Sequence, residues 1–175
     1  MAQYKIDGMH SEISFKVKHL MITNVTGTFT RFDASMRAEA ADYSDAQISF
    51  QAEIDSINTN NEQRDGHLKS ADFFDAAQFP QMQFVSTGFK PLGGDRYQLA
   101  GDLTLKGITK AIVLDAELGG TMTDPYGQFK VGFEISGSIN RSDFGLTWSA
   151  VTEAGGVVVS EAVKLHLSVQ MVKQA

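Results

Sequence analysis

The chain contains no cysteine, so disulfides, thiolate metal ligands and cysteine nucleophiles are excluded. Its acid–base, metal or anion chemistry must come from His, Asp, Glu, Lys, Arg and hydroxyls. One set of residues could form a metal or acid/base site: His19, in Lys18-His19-Leu20-Met21-Ile22, with Asp65 and His67, in Arg64-Asp65-Gly66-His67. Against it, Asp65 and His67 are two apart and do not share a helical face. The sequence has no HExxH and no pair of His at i and i+4. A capping or loop-tethering network is therefore the reading the spacing favours. No catalytic residue, metal or other cofactor is expected.

Two arginines stand beside an Asp, in Arg64-Asp65 and Arg141-Ser142-Asp143. Arg–carboxylate pairs that pin a loop are the ordinary interpretation. The functional one is a charged clamp for an anionic head group at the mouth of a cavity, since Arg matches carboxylate and phosphate geometry. Ser11, Ser14, Ser70 and Ser86 do not sit in a GxSxG elbow. GxGxxG and GxxxxGK[ST] are missing, so nothing points to nucleotide binding. A formal charge of −6 disfavours nucleic acid.

The elements that would position these groups follow a period of two. Ile13, Phe15 and Val17 alternate with polar residues, as do Ile48, Phe50, Ala52 and Ile54. Tyr97, Leu99, Gly101, Leu103 and Leu105 obey the same rule, followed by Ile112, Leu114, Ala116 and Leu118. Further runs are Phe129 through Ile139 and Val159 through Met171. Such alternation marks antiparallel strands with one buried and one wet face. Between Val25 and Ala40 the apolar face switches, which predicts a β-bulge near Thr30 to Phe32. Turns are expected at Asp7-Gly8, Asp42–Asp45, Pro91–Asp95, Lys106-Gly107, Gly119-Gly120 through Tyr126-Gly127, and Gly155-Gly156. Gly101 and Gly107, in or at the ends of strands, are read as bends. Long consecutive strands leave exposed edges unless they close. The expected fold is all-β, a single extended antiparallel barrel of about eight strands over residues 1–175.

One polar stretch, Thr59 to Lys69, breaks the pattern. Thr59 with Glu62 fits a capping box and predicts a short helix. With the Phe-rich segment after it, this helix could lid or plug one end. No apolar run approaches the roughly 18 residues of a spanning helix. No basic region leads into an apolar one at the start, which predicts a cytoplasmic chain, with a mature periplasmic form as the alternative.

Twelve of the seventeen aromatic residues are Phe, against four Tyr and one Trp. Phe has no polar handle. Phe15, Phe29, Phe50, Phe84, Phe129 and Phe133 fall on strands, and Phe73, Phe74, Phe79 and Phe144 in the inserts. An eight-stranded barrel can be filled by side chains or hold one small ligand. Alternation alone leaves both open.

Several strings occur together in a recognisable order. They are His10-Ser11-Glu12-Ile13-Ser14-Phe15-Lys16-Val17-Lys18-His19 through Phe29, Ile54–Thr59 running into Arg64–Asp75, Phe79-Pro80 with Phe84, Gly101–Lys110, and Phe133 before Arg141-Ser142-Asp143-Phe144-Gly145-Leu146. In this order they resemble the YceI-like family along nearly the whole chain. The resemblance implies a lipocalin-like barrel with a long apolar pore, no established catalytic role, a polyisoprenoid or acyl lipid as partner, and a homodimer. Where the family tends to carry Gly-Asp before its last strand, this chain has Ser160-Glu161. The expected pore wall is Phe15, Val17, Phe29, Phe50, Phe84, Leu103, Leu105, Phe133, Ile135 and Trp148. The expected polar mouth is His19, Arg64, His67 and Arg141. The function expected is non-enzymatic binding, transport or storage of a long-chain amphiphile. The alternatives are a metal- or His-dependent enzyme on a lipid-like substrate, and a stress-related interaction protein with a filled barrel.

Overall fold

The computed structural model describes residues 1–20, 22–148 and 159–175. The strands are β1 (Ala2–Ile6), β2 (Glu12–His19), β3 (Thr23–Phe29), β4 (Phe32–Ala38), β5 (Gln47–Glu53) and β6 (Ile57–Asn58). After the helix α1 (Glu62–Lys69) come β7 (Gln81–Gly93), β8 (Arg96–Leu105), β9 (Ile108–Thr123), β10 (Phe129–Asn140) and β11 (Ala162–Lys173). Hydrogen bonds run β1-β4-β5-β7-β8-β9-β10-β11 and return from β11 to β1. The result is a closed ring of eight staves, each antiparallel to its neighbours in chain order.

Three staves are broken. Along β11, residues Met171–Lys173 pair with β1 while Lys164–Ser168 pair with β2. The break between them is a 3-10 turn, Gly8–His10, capped by the Asp7 carboxylate accepting from the Met9 N–H. β3 and β4 likewise form one stave, and β5 with β6 another, since β6 pairs with β3 and β5 with β4. The β3–β4 break falls at Thr30 and Arg31, where the sequence changes face. Val25, Gly27 and Phe29 sit on one phase, and Ala34, Met36 and Ala38 on the next. The backbone groups freed there are satisfied: Thr30 N–H donates to Ser56 O at 3.2 Å, and Arg31 O accepts from Glu53 N–H at 2.9 Å.

A second phase change lies in β7, where the ladder to β8 slips between Ser86 and Gly88. The slip brings both Phe84 and Phe89 to the interior despite their odd spacing. Gly119-Gly120 is not part of a turn, contrary to the sequence expectation. Both lie within β9, opposite a slip in the β10 ladder at Gly132/Phe133, and Gly120 takes φ +145. The turn itself is Asp124–Gly127, where the Asp124 carboxylate accepts from the N–H groups of Tyr126 and Gln128, each at 2.9 Å. Lys106 and Gly107 form a two-residue hairpin turn with φ +51 and +74, as the twist of β8 and β9 requires. Gly155-Gly156 lies outside the described residues, and β11 begins at Ala162.

The helix also differs from expectation at its start. Its cap is Asn61, whose side chain accepts from Arg64 N–H at 3.0 Å, rather than Thr59. Thr59 sits too far back and turns to Asp65, whose carboxylate accepts from both its backbone N–H and its hydroxyl.

One end of the barrel is plugged by aromatic rings. Phe89 stacks on Tyr97 at 4.4 Å, and Phe133 meets Phe89, Tyr97 and Tyr43 edge-on. Tyr4 joins through Tyr43. The Tyr97 hydroxyl donates to Asp42 O at 2.8 Å, which satisfies its polar end. Burial pushes the Tyr43 and Tyr97 phenols above their ordinary value of 10.0.

Gly101 lies opposite the slip in the β7 ladder, and it also has a packing role. A Cβ there would meet Phe84 Cζ at 2.3 Å and Val85 O at 2.6 Å. The missing side chain lets the Phe84 ring lie against the wall. Gly27 seats Phe15 in the same way, with Cζ 2.3 Å from the position a Cβ would take. Gly101→Ala is accordingly expected to lower stability by about 1–3 kcal/mol in urea unfolding. Adding Phe84→Leu should recover part of that loss if the clash with the ring is the cause.

Candidate functional site

Above the aromatic plug the staves do not fill their own interior. They enclose a cavity of about 410 Å³, within the range of small-molecule sites. Its floor includes Phe89, Phe133, Leu99 and Met36. At the other end α1 and the segment after it bring Leu68, Phe73 and Phe74 to the lining, with Trp148 beside them. α1 itself buries no residue completely and is polar in sequence, so it is held by its cap and by these neighbours. Lys18 and His19 line the cavity while remaining exposed, which locates its opening at the end of β2.

All ten expected wall residues line this one cavity: Phe15, Val17, Phe29, Phe50, Phe84, Leu103, Leu105, Phe133, Ile135 and Trp148. So do the four expected at the mouth, His19, Arg64, His67 and Arg141. The period-two pattern also marks Ile112, Leu114, Leu165, Leu167 and Val169, which line the cavity as well but were not singled out. Lys18 and Thr59 are further polar lining residues. Lys18 reads as a wet-face residue, and only its place at the end of a stave brings it to the opening.

His19, Asp65 and His67 do not form one site. The Asp65 carboxylate is taken by Thr59. His67 Nε2 lies 2.8 Å from Asp72 Oδ2, with its ring edge-on to Trp148 at 4.7 Å and to Phe73 at 5.1 Å. His19 is held through its backbone, in a bridge to Val159. Among the described residues no three His, Cys, Asp or Glu side chains gather at metal-binding distance.

Residues 4–171 match the YceI-like domain. The chain belongs to the YceI-like family. It is 38% identical over 175 residues to protein YceI of Salmonella newport, covering 99% of this chain and 88% of that one. The crystal structure of the Campylobacter jejuni YCEI protein superposes with a TM-score of 0.77 at 33% identity, over 90% of each chain. A polyisoprenoid binding domain from Saccharophagus degradans has the same fold, with a TM-score of 0.69 at 17% identity and 98% of each chain covered. No helix among the described residues is long and apolar enough to cross a membrane.

The two arginines of this YceI-like barrel are not paired with their neighbouring carboxylates, which corrects the simplest reading of Arg64-Asp65 and Arg141-Ser142-Asp143. Arg64 donates through Nε to the Thr59 hydroxyl at 2.8 Å and through Nη2 to Thr59 O at 2.6 Å. Asp65 reaches the same Thr59, so the hydroxyl stands between the two charges. Arg141 is only 6% exposed. It donates to Leu146 O at 2.6 Å, Trp148 O at 2.7 Å, Ser160 O at 2.9 Å and Val159 O at 3.4 Å. One planar fork thereby ties the chain after β10 to the chain before β11. A guanidinium suits this task because its donors are fixed in one plane. Glu161 completes the junction, accepting from the Ser142 hydroxyl and from Ser142 N–H at 2.9 Å. Those bonds, helped by the Arg141 charge, hold its carboxyl below the ordinary 4.5.

Two outcomes are expected. Arg141→Met leaves several carbonyls without their donor and should cost at least about 3 kcal/mol in chemical denaturation. Arg141→Lys should recover little of it, having one ammonium in place of the fork. Because Glu161 has a lower pKa in the folded protein than unfolded, its stabilisation is complete above pH 4.5 and is lost as pH falls through the lowered folded value. Thermal melts across pH should therefore show Glu161→Gln less stable than the parent at pH 7, with the gap closing in acid.

Proposed function

We propose that this protein is a binding protein that shelters the apolar chain of a long-chain amphiphile, a polyisoprenoid or an acyl lipid, and performs no chemistry on it. The single observation carrying this reading is the cavity of about 410 Å³, walled by Phe, Leu, Ile and Val and closed at one end by aromatic rings. The chain of the ligand would lie along the walls, with its polar end at the opening beside His19, Arg64, His67 and Arg141. Membership of the YceI-like family supports it, and so does the shared fold of a domain described as polyisoprenoid binding.

The energetics suit a long chain. Each Å² of apolar surface removed from water contributes about 25 cal/mol, offset by the ordering of a flexible ligand. Polar groups at the opening set the orientation and add little to the driving force. Two of the groups near the opening are engaged by neighbours, Asp65 by Thr59 and His67 by Asp72.

Calorimetric titration of the delipidated protein with prenyl and fatty-acyl ligands tests the reading. Saturable binding at one site is expected, with affinity rising with chain length until the floor is reached. Absence of saturable binding to every long-chain ligand would overturn it. Leu103→Trp, which puts an indole into the middle of the wall, should weaken binding of long chains by at least about tenfold while short ones keep their affinity.

A further inference from the structure

Beside the opening, β2 and β3 meet in a hairpin whose turn is closed by Ile22 N–H donating to His19 O at 3.2 Å. Leu20 and Ile22 stand exposed at its tip, Ile22 to 77%, and neither lines the cavity. Leu20 also takes φ +53, in the left-handed region that Gly, Asn and Asp enter more readily than a leucine. An apolar side chain is thus held in water at the tip at a cost in backbone conformation.

The strands behind this tip are basic on their outer face. Lys16 of β2 and Lys164 of β11 are exposed and stand directly opposite each other in the ladder, a like-charge pair that destabilises a sheet. Lys18, also exposed, follows at the rim. The other positions facing these lysines are uncharged: Thr26 faces Lys16, Asn24 faces Lys18 and Ser138 faces Lys164. Among the described residues no carboxylate lies within ion-pair distance of the three. Glu161, just before β11, is engaged by Ser142. His166, the next outward position on β11 after Lys164, meets Glu134 at 3.0 Å, and there the basic patch ends.

The plugged end of the barrel provides the contrast. Its β9–β10 hairpin also exposes apolar residues, Met122 and Tyr126, but the cation beside them, Lys130, is paired with Asp124 at 3.3 Å. Unpaired lysines accompany the apolar tip at the opening, in a chain with 21 Asp and Glu against 15 Lys and Arg.

We propose that this tip docks the protein on an anionic lipid bilayer, with Leu20 and Ile22 entering the interface and Lys16, Lys18 and Lys164 lying against its acidic surface. This rests on the lipid-binding reading above and adds the place from which the barrel takes its chain. A bilayer at the opening spares an apolar chain the passage through water. Lysines near such a surface supply attraction that salt screens, and the apolar tip supplies burial that salt leaves intact. Asp42, Asp45 and Asp124 belong to loops at the plugged end, the length of a stave away, well beyond the roughly 8 Å over which charge acts at physiological salt.

Flotation of the full chain tests the proposal, with vesicles of neutral phosphatidylcholine and vesicles that also contain phosphatidylglycerol. Binding to the anionic vesicles is expected to be about tenfold or more tighter, and to weaken in high salt. Because the chain has no cysteine, Ile22→Cys gives a single attachment point for an environment-sensitive dye, whose emission should shift to the blue with anionic vesicles. Leu20→Asn relieves the backbone, so it should hold or raise the melting temperature while lowering vesicle binding several-fold. Lys16→Gln with Lys164→Gln should remove most of the preference for anionic vesicles. Met122→Ser with Tyr126→Ser, at the plugged end, should change nothing. Failure to float with either vesicle overturns the proposal and leaves the patch to a protein partner with an acidic face. Equal binding to both vesicles overturns the role of the lysines. Binding undiminished in Leu20→Asn, or lowered as much by the Met122 and Tyr126 changes, overturns the assignment to this tip. Chain binding is read separately, by the calorimetric titration without vesicles, so its failure is distinguishable from a failure to dock.

Discussion

Barrel closure is the constraint on which the rest depends. The ring is sealed along β11, where Met171, Val172 and Lys173 face Ile6, Lys5 and Tyr4 of β1 and Lys164–Ser168 face the first half of β2. Without it, β1 and β11 would each present an unpaired edge, and the inward faces of eight staves would have no common interior. The broken first stave makes this possible. β11 is longer than either partner, and it is covered by β1 at one end and by β2 at the other. The 3-10 turn between them absorbs a change of direction that one continuous strand would have to take up as strain.

A ring of this size can be packed solid or left hollow, and the choice here is made by where bulk and absence of bulk fall. Bulk gathers at one end, where Tyr4, Tyr43, Phe89, Tyr97 and Phe133 pack ring against ring. Higher up, large side chains lie flat because glycines face them: Phe15 on Gly27, Phe84 on Gly101 and Leu114 on Gly137. A residue larger than glycine at those positions would lift the ring toward the axis and consume the space. The interior is thus shaped as much by missing Cβ atoms as by the phenylalanines that the composition makes conspicuous.

The staves were legible in the sequence because alternation is local: a residue and its neighbour two along declare the same face. The change of phase at Thr30 was readable for the same reason, and so were the wall positions from Phe15 to Ile135. Hydrogen-bond partners were not. Arg141 stands two residues from Asp143, yet its donors go to carbonyls as far along as Ser160, and Arg64 meets Thr59 in place of Asp65. Asn61 displaced Thr59 as the helix cap because Asp65 claimed the threonine. Gly101 and Gly119-Gly120 both lie at slips in a ladder, and Gly101 also seats a ring. In each case the decision lies with a group on another stave or loop, and a single sequence does not place that group.

The same closing ladder governs the order in which the fold can form. Every other pairing in the ring joins staves that follow one another in the chain, as hairpins or hairpins with an insert. The seam of β11 with β1 and β2 joins residues separated by most of the chain. Loop-closure entropy makes such a contact the slowest to gain. Until it forms, the meander is an open curved sheet whose concave face bears most of the apolar residues that later line the cavity. The surface that gives the finished barrel its capacity for a greasy guest is therefore also the surface most prone to self-association while the last seam is open.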